Sequence, residues 1–206
     1  MQINLIKIFF IVFVVFYQTK TYAANIDKDE FNYKYLSNYF SSLVSYDNQN
    51  NKDALKYFNL TRSLQSKNTS YLRKYIFALI NVGQISRAIK EIKYLKNKKK
   101  TDFFEMNILL LIDNLTKKDY VKSKVTLSDL KNFQEENTYE HIIYQTLKSY
   151  FYLFEKNTKY KNNNEFGRLS TITNAFQNCY IDSENTNSLF LNLINSSEGD
   201  YSRYLF

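Results

Sequence analysis

His141 is the only histidine in this 206-residue chain, and imidazole is the side chain whose charge changes closest to neutral pH. It stands in YEHIIY beside Glu140, where a helix-like run begins. That position suits a helix-end or groove residue better than a catalytic base. The only cysteine, Cys179, lies 38 residues further on in AFQNCYI. A Cys–His nucleophile would need a third group to orient the base, and no Asp or Asn pattern offers one. The apolar setting predicts a small buried hydrophobe instead. Adjacent carboxylates occur at Asp29-Glu30 and Glu135-Glu136. Neighbours in sequence point different ways on a helix, so these pairs suit helix N-termini rather than acid–base chemistry. No Gly-rich phosphate loop and no His/Cys/Asp cluster with metal spacing occurs in the sequence. The expectation is a protein that is not an enzyme, with no catalytic residue, cofactor or metal. Asn59 and Asn68 head glycosylation-type triplets, a match given no weight in a chain that reads as bacterial.

Charge gives one sharp feature. There are 28 Lys and Arg against 20 Asp and Glu, a net +8. The excess is concentrated in LKNKKKTD, at Lys96, Lys98, Lys99 and Lys100. Such a run is either a solvated loop favouring the preceding helix C-terminus or a weak contact with a membrane surface or an acidic partner. It lacks interleaved aromatics, so nucleic acid is not an expected partner.

The N-terminus reads as an export signal. Lys7 precedes an unbroken apolar run over residues 8–17, and Thr21 and Ala23 have the small-residue spacing of a cleavage site. Ten residues are too short to cross roughly 30 Å of hydrocarbon as a helix. The expectation is a signal peptide over 1–23, cleaved after Ala23, and an exported, periplasmic or secreted protein. The alternative is an uncleaved inner-membrane anchor. Cleavage removes Lys7 and Lys20 and no acid, so +8 − 2 leaves +6. A lone cysteine offers no internal disulfide, and stability must come from packing.

The chain has no proline and three glycines, so helix breakers are scarce. Apolar residues recur at helical spacing in FNYKYLSNYFSSLVSY, DALKYFNLTRSL, YLRKYIFALINV, QISRAIKEIKYLK, FFEMNILLLIDNL and DYVKSKVTLSDLKNF. Six helices in three antiparallel pairs follow. Asp53 or the asparagines before it are predicted to cap the second helix, and Thr69 or Ser70 the third. The DNQNN connection reads as about two residues longer than the one around Gly83.

Small residues recur with a period. Ala54, Ala88 and Ser123 lie 34 and 35 residues apart, each followed four positions later by a large apolar residue: Phe58, Ile92 and Leu127. Ile85 and Tyr120 precede the second and third by three positions. Gly83 stands where a tight turn wants positive φ. Over residues 30–133 the chain resembles the tetratricopeptide repeat (TPR) family, whose helix pairs recur every 34 residues. It lacks that family's tryptophan, and Ile76 and Leu111 replace residues that are usually small.

The resemblance implies an all-α, right-handed superhelix whose concave face is lined by the first helix of each pair. By register that face would present Ser37, Ser41 and Val44, then Ser70, Arg73, Phe77, Ile80 and Asn81, then Glu105, Ile108 and Ile112. Arg73 would clamp a partner's carbonyl or carboxylate.

Three TPR-like pairs are thus expected over 24–133, with degenerate helical repeats over 134–206. The latter comprise a long helix in EHIIYQTLKSYFYLFEKN, one in EFGRLSTITNAFQNCYI and a further pair after it. The apolar end at Tyr204-Leu205-Phe206 suggests a truncated array or self-association there. The functional expectation is a scaffold or adaptor that binds a protein or peptide in the bacterial cell envelope. The alternatives are the recruitment domain of a larger enzyme or assembly factor, and an envelope protein anchored at the membrane surface.

Overall fold

The structure, a computed structural model, describes residues 33–65, 67–97, 102–136, 138–160 and 166–195. The signal segment, Asp29-Glu30, Lys98 to Lys100 and the stretch beyond 195 lie outside these residues.

Everything regular in the described residues is helix. The elements are α1 (Tyr33–Asp47), α2 (Asn51–Leu60), α3 (Arg62–Gln65), α4 (Thr69–Asn81), α5 (Ile85–Asn97), α6 (Phe104–Thr116), α7 (Tyr120–Lys131), α8 (Tyr139–Lys156), α9 (Arg168–Tyr180) and α10 (Thr186–Asn195). They fall into two units, residues 1–83 and 84–206.

The same three-residue turn recurs along the chain. It separates α1 from α2 (48–50), α4 from α5 (82–84) and α6 from α7 (117–119). Its middle residue is left-handed each time: Gln49 at φ 60°, Gly83 at 78° and Lys118 at 56°. From 49 to 83 is 34 residues, and from 83 to 118 is 35. In the first and last of these turns two backbone bonds close the helix end. Gln49 N–H donates to Tyr46 O and Asn50 N–H to Ser45 O, both at 2.9 Å. Lys118 N–H donates to Leu115 O and Asp119 N–H to Asn114 O, again at 2.9 Å. This is the Schellman closure, which satisfies carbonyls that a helix end would leave open. The same closure ends α9, with Asp182 at φ 55°, but the connection to α10 there is longer, residues 181–185. The DNQNN connection is therefore no longer than the one at Gly83. α1 runs on to Asp47 and α2 starts at Asn51, so the helices absorb the residues that read as loop.

The cap of α2 is one of the expected asparagines, whereas that of α4 departs from expectation. Asn50 caps α2, its side chain accepting from Asp53 N–H. Asn68 caps α4, accepting from Tyr71 N–H at 3.0 Å. Thr69 and Ser70 already belong to the first helical turn. DALKYFNLTRSL is also broken. The Thr61 hydroxyl bonds Tyr57 O (3.0 Å) and Tyr71 OH (2.5 Å), and the chain leaves the helix there before the single turn of α3.

In the first unit α2 packs on α1 and α4, and α1 and α3 also touch α4. Its interior is built around Phe58, Tyr71, Leu72, Tyr75, Ile76 and Leu79, all essentially inaccessible. The Phe58 ring meets Tyr71 edge-on at 4.8 Å and lies 5.8 Å from Tyr75, geometry that aromatic quadrupoles favour.

In the second unit α5 packs on α6, α6 pairs with α7, and α8 lies against both. Phe104, Leu111, Leu127, Leu130, Tyr144 and Phe151 form that core. α9 joins α8 and α10 joins α9, with Ala175 and Leu193 in a smaller cluster. α9 begins after Gly167, not before it as the sequence reading had it. Gly167 takes φ 55°, ψ −129°, a region closed to residues with a Cβ.

Candidate functional site

The three small repeat residues each occupy the fourth position of the helix that follows the turn. Ala54 on α2, Ala88 on α5 and Ser123 on α7 are all fully buried. Ser123 can replace alanine because its hydroxyl donates to Asp119 O at 2.8 Å, one turn back on its own helix. One turn later Phe58 and Ile92 are inaccessible and Leu127 nearly so. Tyr120 is half-buried against the α6–α8 core, whereas Ile85 is exposed. Gly83 could carry a Cβ without touching any atom, so only its backbone angle asks for glycine.

The residues expected on a concave face divide between the two units. On the first, Ser37 and Val44 are exposed on α1 and Ser41 is half-buried beside them. Ser70, Arg73 and Asn81 are exposed on α4, and Phe77 and Ile80 are half-buried. Asn81 Nδ2 donates to Asn51 Oδ1 at 3.4 Å, so this side chain also ties α4 to the start of α2. On the second unit, Ile112 is exposed and Glu105 half-buried. Ile108 packs against the Phe104–Leu111 core, so it serves the interior rather than a groove.

Several polar positions were invisible to sequence reasoning. Tyr71 OH sits between Ser42 Oγ (2.8 Å) and Thr61 Oγ1, buried with both. Burial pushes its ionisation up, against the opposing effect of those two hydrogen bonds. In the second unit Asp113 is almost fully buried near the C-terminal end of α6, where the helix dipole disfavours an anion. Lys93 of α5 (2.7 Å) and Lys117 (2.5 Å) converge on its two oxygens. Burial alone would raise the Asp113 carboxyl, but the two ammonium bonds outweigh it and hold it below the ordinary carboxylate range.

Lys96 links three helices, from α5 to Asn107 Oδ1 of α6 and to Asp129 Oδ2 of α7 at 2.6 Å. Asn107 in turn donates to Asp102 at 2.7 Å. Lys96 is thus bonded inside the second unit, not presented as the first cation of a lysine patch. No spacing signal distinguishes a buried Asp or Asn from an exposed one on a short helix. The lysines at 93 and 96, one turn apart on α5, were the only available hint.

Cys179 is exposed, which corrects the expectation of burial. α9 turns Ala175, Gln177 and Asn178 inward, and Gln177 Nε2 donates to Ser149 Oγ of α8 at 2.9 Å. The buried face of this helix is partly polar, so apolar neighbours in sequence did not mark it. His141 lies in the first turn of α8. Its N–H donates to Thr138 Oγ1 at 3.2 Å and its ring meets Phe166 edge-on at 6.1 Å. Among the described residues no group of three or more His, Cys, Asp or Glu is placed to hold a metal. Among them, too, no helix is long and apolar enough to cross a membrane.

No family model, curated protein or solved structure matches the chain.

Proposed function

We propose that this protein is a non-enzymatic helical-repeat scaffold of the tetratricopeptide type, exported to the cell envelope. In this reading the helix pairs stack into a superhelix, and the first helices of the pairs hold a protein or peptide partner. One observation carries it: the left-handed turn residues at 49, 83 and 118 recur at the repeat period, each five residues before a buried Ala or Ser. A recurring turn with a recurring small contact is what a stacked array needs, because each unit must present the same edge to the next. Arg73, exposed on α4, is the residue assigned to grip the partner, since a guanidinium bonds carboxylates and carbonyls in a fixed fork geometry. The engagement of Lys96 within the second unit favours this reading over lysine-mediated membrane contact.

The test is affinity capture from envelope extract with the chain recovered from cells, compared with Arg73→Glu. Loss of particular partners by the variant, at unchanged helicity, supports the groove. An identical partner set counts against it.

A further inference from the structure

The turn between α6 and α7 keeps its acids inside and its cations outside. The Asp113 side chain, near the end of α6, is 8% exposed, and that of Asp119, the N-cap of α7, is 32% exposed. The lysines bonded to them reach further out: Lys93 of α5 is 45% exposed, Lys117 61% and Lys122 73%. Lys118, the left-handed residue of the turn, is exposed as well. Four ammonium groups over two carboxylates leave +4 − 2 = +2 in one small region. The C-terminal end of α6 and the N-terminal end of α7 meet here, so their dipoles offset and that charge stands.

The same bonds fix where the cations stand. Lys93 (2.7 Å) and Lys117 (2.5 Å) sit on the two oxygens of one carboxylate. Lys122 bonds Asp119 at 2.6 Å. That bond and the Lys122 backbone N–H hold the Asp119 carboxyl below its ordinary range, and the charge of Lys93 adds a smaller part. Lys93 therefore lies near both acids. An ammonium carries three N–H donors, and Lys93, Lys117 and Lys122 each use one on a described side chain. Two donors on each remain among the described residues. Side chains already held in place lose less freedom when they bind. Lys96 is different, at 27% exposed with its bonds directed to Asn107 and Asp129.

We propose that Lys93, Lys117, Lys118 and Lys122 form a binding site for a phosphate monoester group. Such a group carries about −1.5 to −2 of charge and three acceptor oxygens, so it matches the +2 and accepts from several of these lysines at once. Lysine serves phosphate as a compact point charge. A carboxylate brings two oxygens and a single charge, so an Asp or Glu of a protein partner fills the site less completely. Like charge keeps a second copy of this surface away. The proposal does not rest on the scaffold reading, because none of these lysines belongs to the groove assigned to a partner.

Titration of the chain with inorganic phosphate, against chloride at matched ionic strength, gives the direct test through lysine side-chain NMR signals. Saturable shifts are expected at Lys93, Lys117, Lys118 and Lys122, and none at Lys124 or Lys131. Lys117→Met should weaken binding on the order of tenfold. Lys122→Met, at the most exposed of the bonded lysines, serves if that variant loses helicity. Lys131→Met should leave binding unchanged. Acetate should bind on the order of tenfold more weakly than phosphate. Capture of phosphatidic acid vesicles by the parent chain, lost in the weakened variant, would assign the group to a lipid. Phosphate binding without vesicle capture would assign it to a soluble molecule. Three results overturn the proposal: no saturable shift, equal shifts at Lys124 and Lys131, or acetate bound as tightly as phosphate.

Discussion

The α1–α2 and α6–α7 hairpins share one backbone recipe and fill their interiors differently. Both use the three-residue turn with a left-handed middle residue, and both bury a small residue five positions later. The first unit satisfies its buried polar atoms with neutral hydroxyls: Ser42 and Thr61 around Tyr71, inside a shell of rings. The second has neutral pairs too, such as Asn114 with Thr126, but adds charges: Lys93 and Lys117 on Asp113, and Lys96 on Asn107 and Asp129. The same turn and a buried small residue thus accompany two different sets of buried polar contacts. The two solutions should fail under different conditions.

The largest expected effect is in the charged unit. Lys96→Met removes the donor to Asn107 Oδ1, which has no access to water. Leaving a buried acceptor without a partner costs about 1–3 kcal/mol, read as a lower urea midpoint at unchanged slope. In the neutral unit Tyr71→Phe should cost about 0.5–1.5 kcal/mol. It is the milder change because Ser42 and Thr61 keep their bonds to the Tyr39 and Tyr57 carbonyls. If Tyr71→Phe proves the more damaging, the contrast between the two interiors is wrong.

The turns give effects of opposite sign to each other. Gly83→Ala puts a Cβ at φ 78° in open space, so only backbone strain acts, a loss of about 1–2 kcal/mol. Lys118→Gly relieves similar strain at φ 56°. It should gain less, no more than about 1 kcal/mol, because glycine loses more freedom on folding. Thermal melts of the two variants would show whether the turns are equivalent.

Near neutral pH the titration effect is nil, and it separates the units only at the extremes. The folded Asp113 carboxyl is held low by Lys117 and Lys93 against the effect of burial. Its contribution is present above the unfolded carboxylate value and is lost as pH falls through the folded one. Tyr71 is raised by burial. Its contribution is complete below the unfolded phenol value and is lost as pH rises through the folded one. Amide exchange should accelerate first in α6 under acid and first in α4 under alkali. Asp113→Asn should flatten the acid limb.

How much of this the sequence showed depends on which contacts are periodic. Helix positions followed from apolar spacing, because a helix repeats its buried face every three or four residues. The 34-to-35-residue period was readable at Ala54, Ala88 and Ser123. The turns that generate it were not, since only Gly83 announces a positive φ and Gln49 and Lys118 adopt one without a sequence signature. The stop at Thr61 depends on a hydroxyl meeting Tyr71 ten residues later, beyond any local pattern. Cys179 was misjudged because α9 turns Gln177 and Asn178 inward. Of the candidate groove, Ile108 is core, and the exposed side of α1 held Leu36 and Phe40 as well as the serines. A helix with apolar residues on two sides gives the same periodic signal whichever side is buried.

Urea denaturation of Ala54→Phe, Ala88→Phe and Ser123→Phe tests the repeat most directly. Each of the three sites is buried without access to water. Overpacking at each should therefore cost about 1–3 kcal/mol, with the three losses of similar size. A variant among them as stable as the parent chain would contradict the equivalence of the three helix contacts.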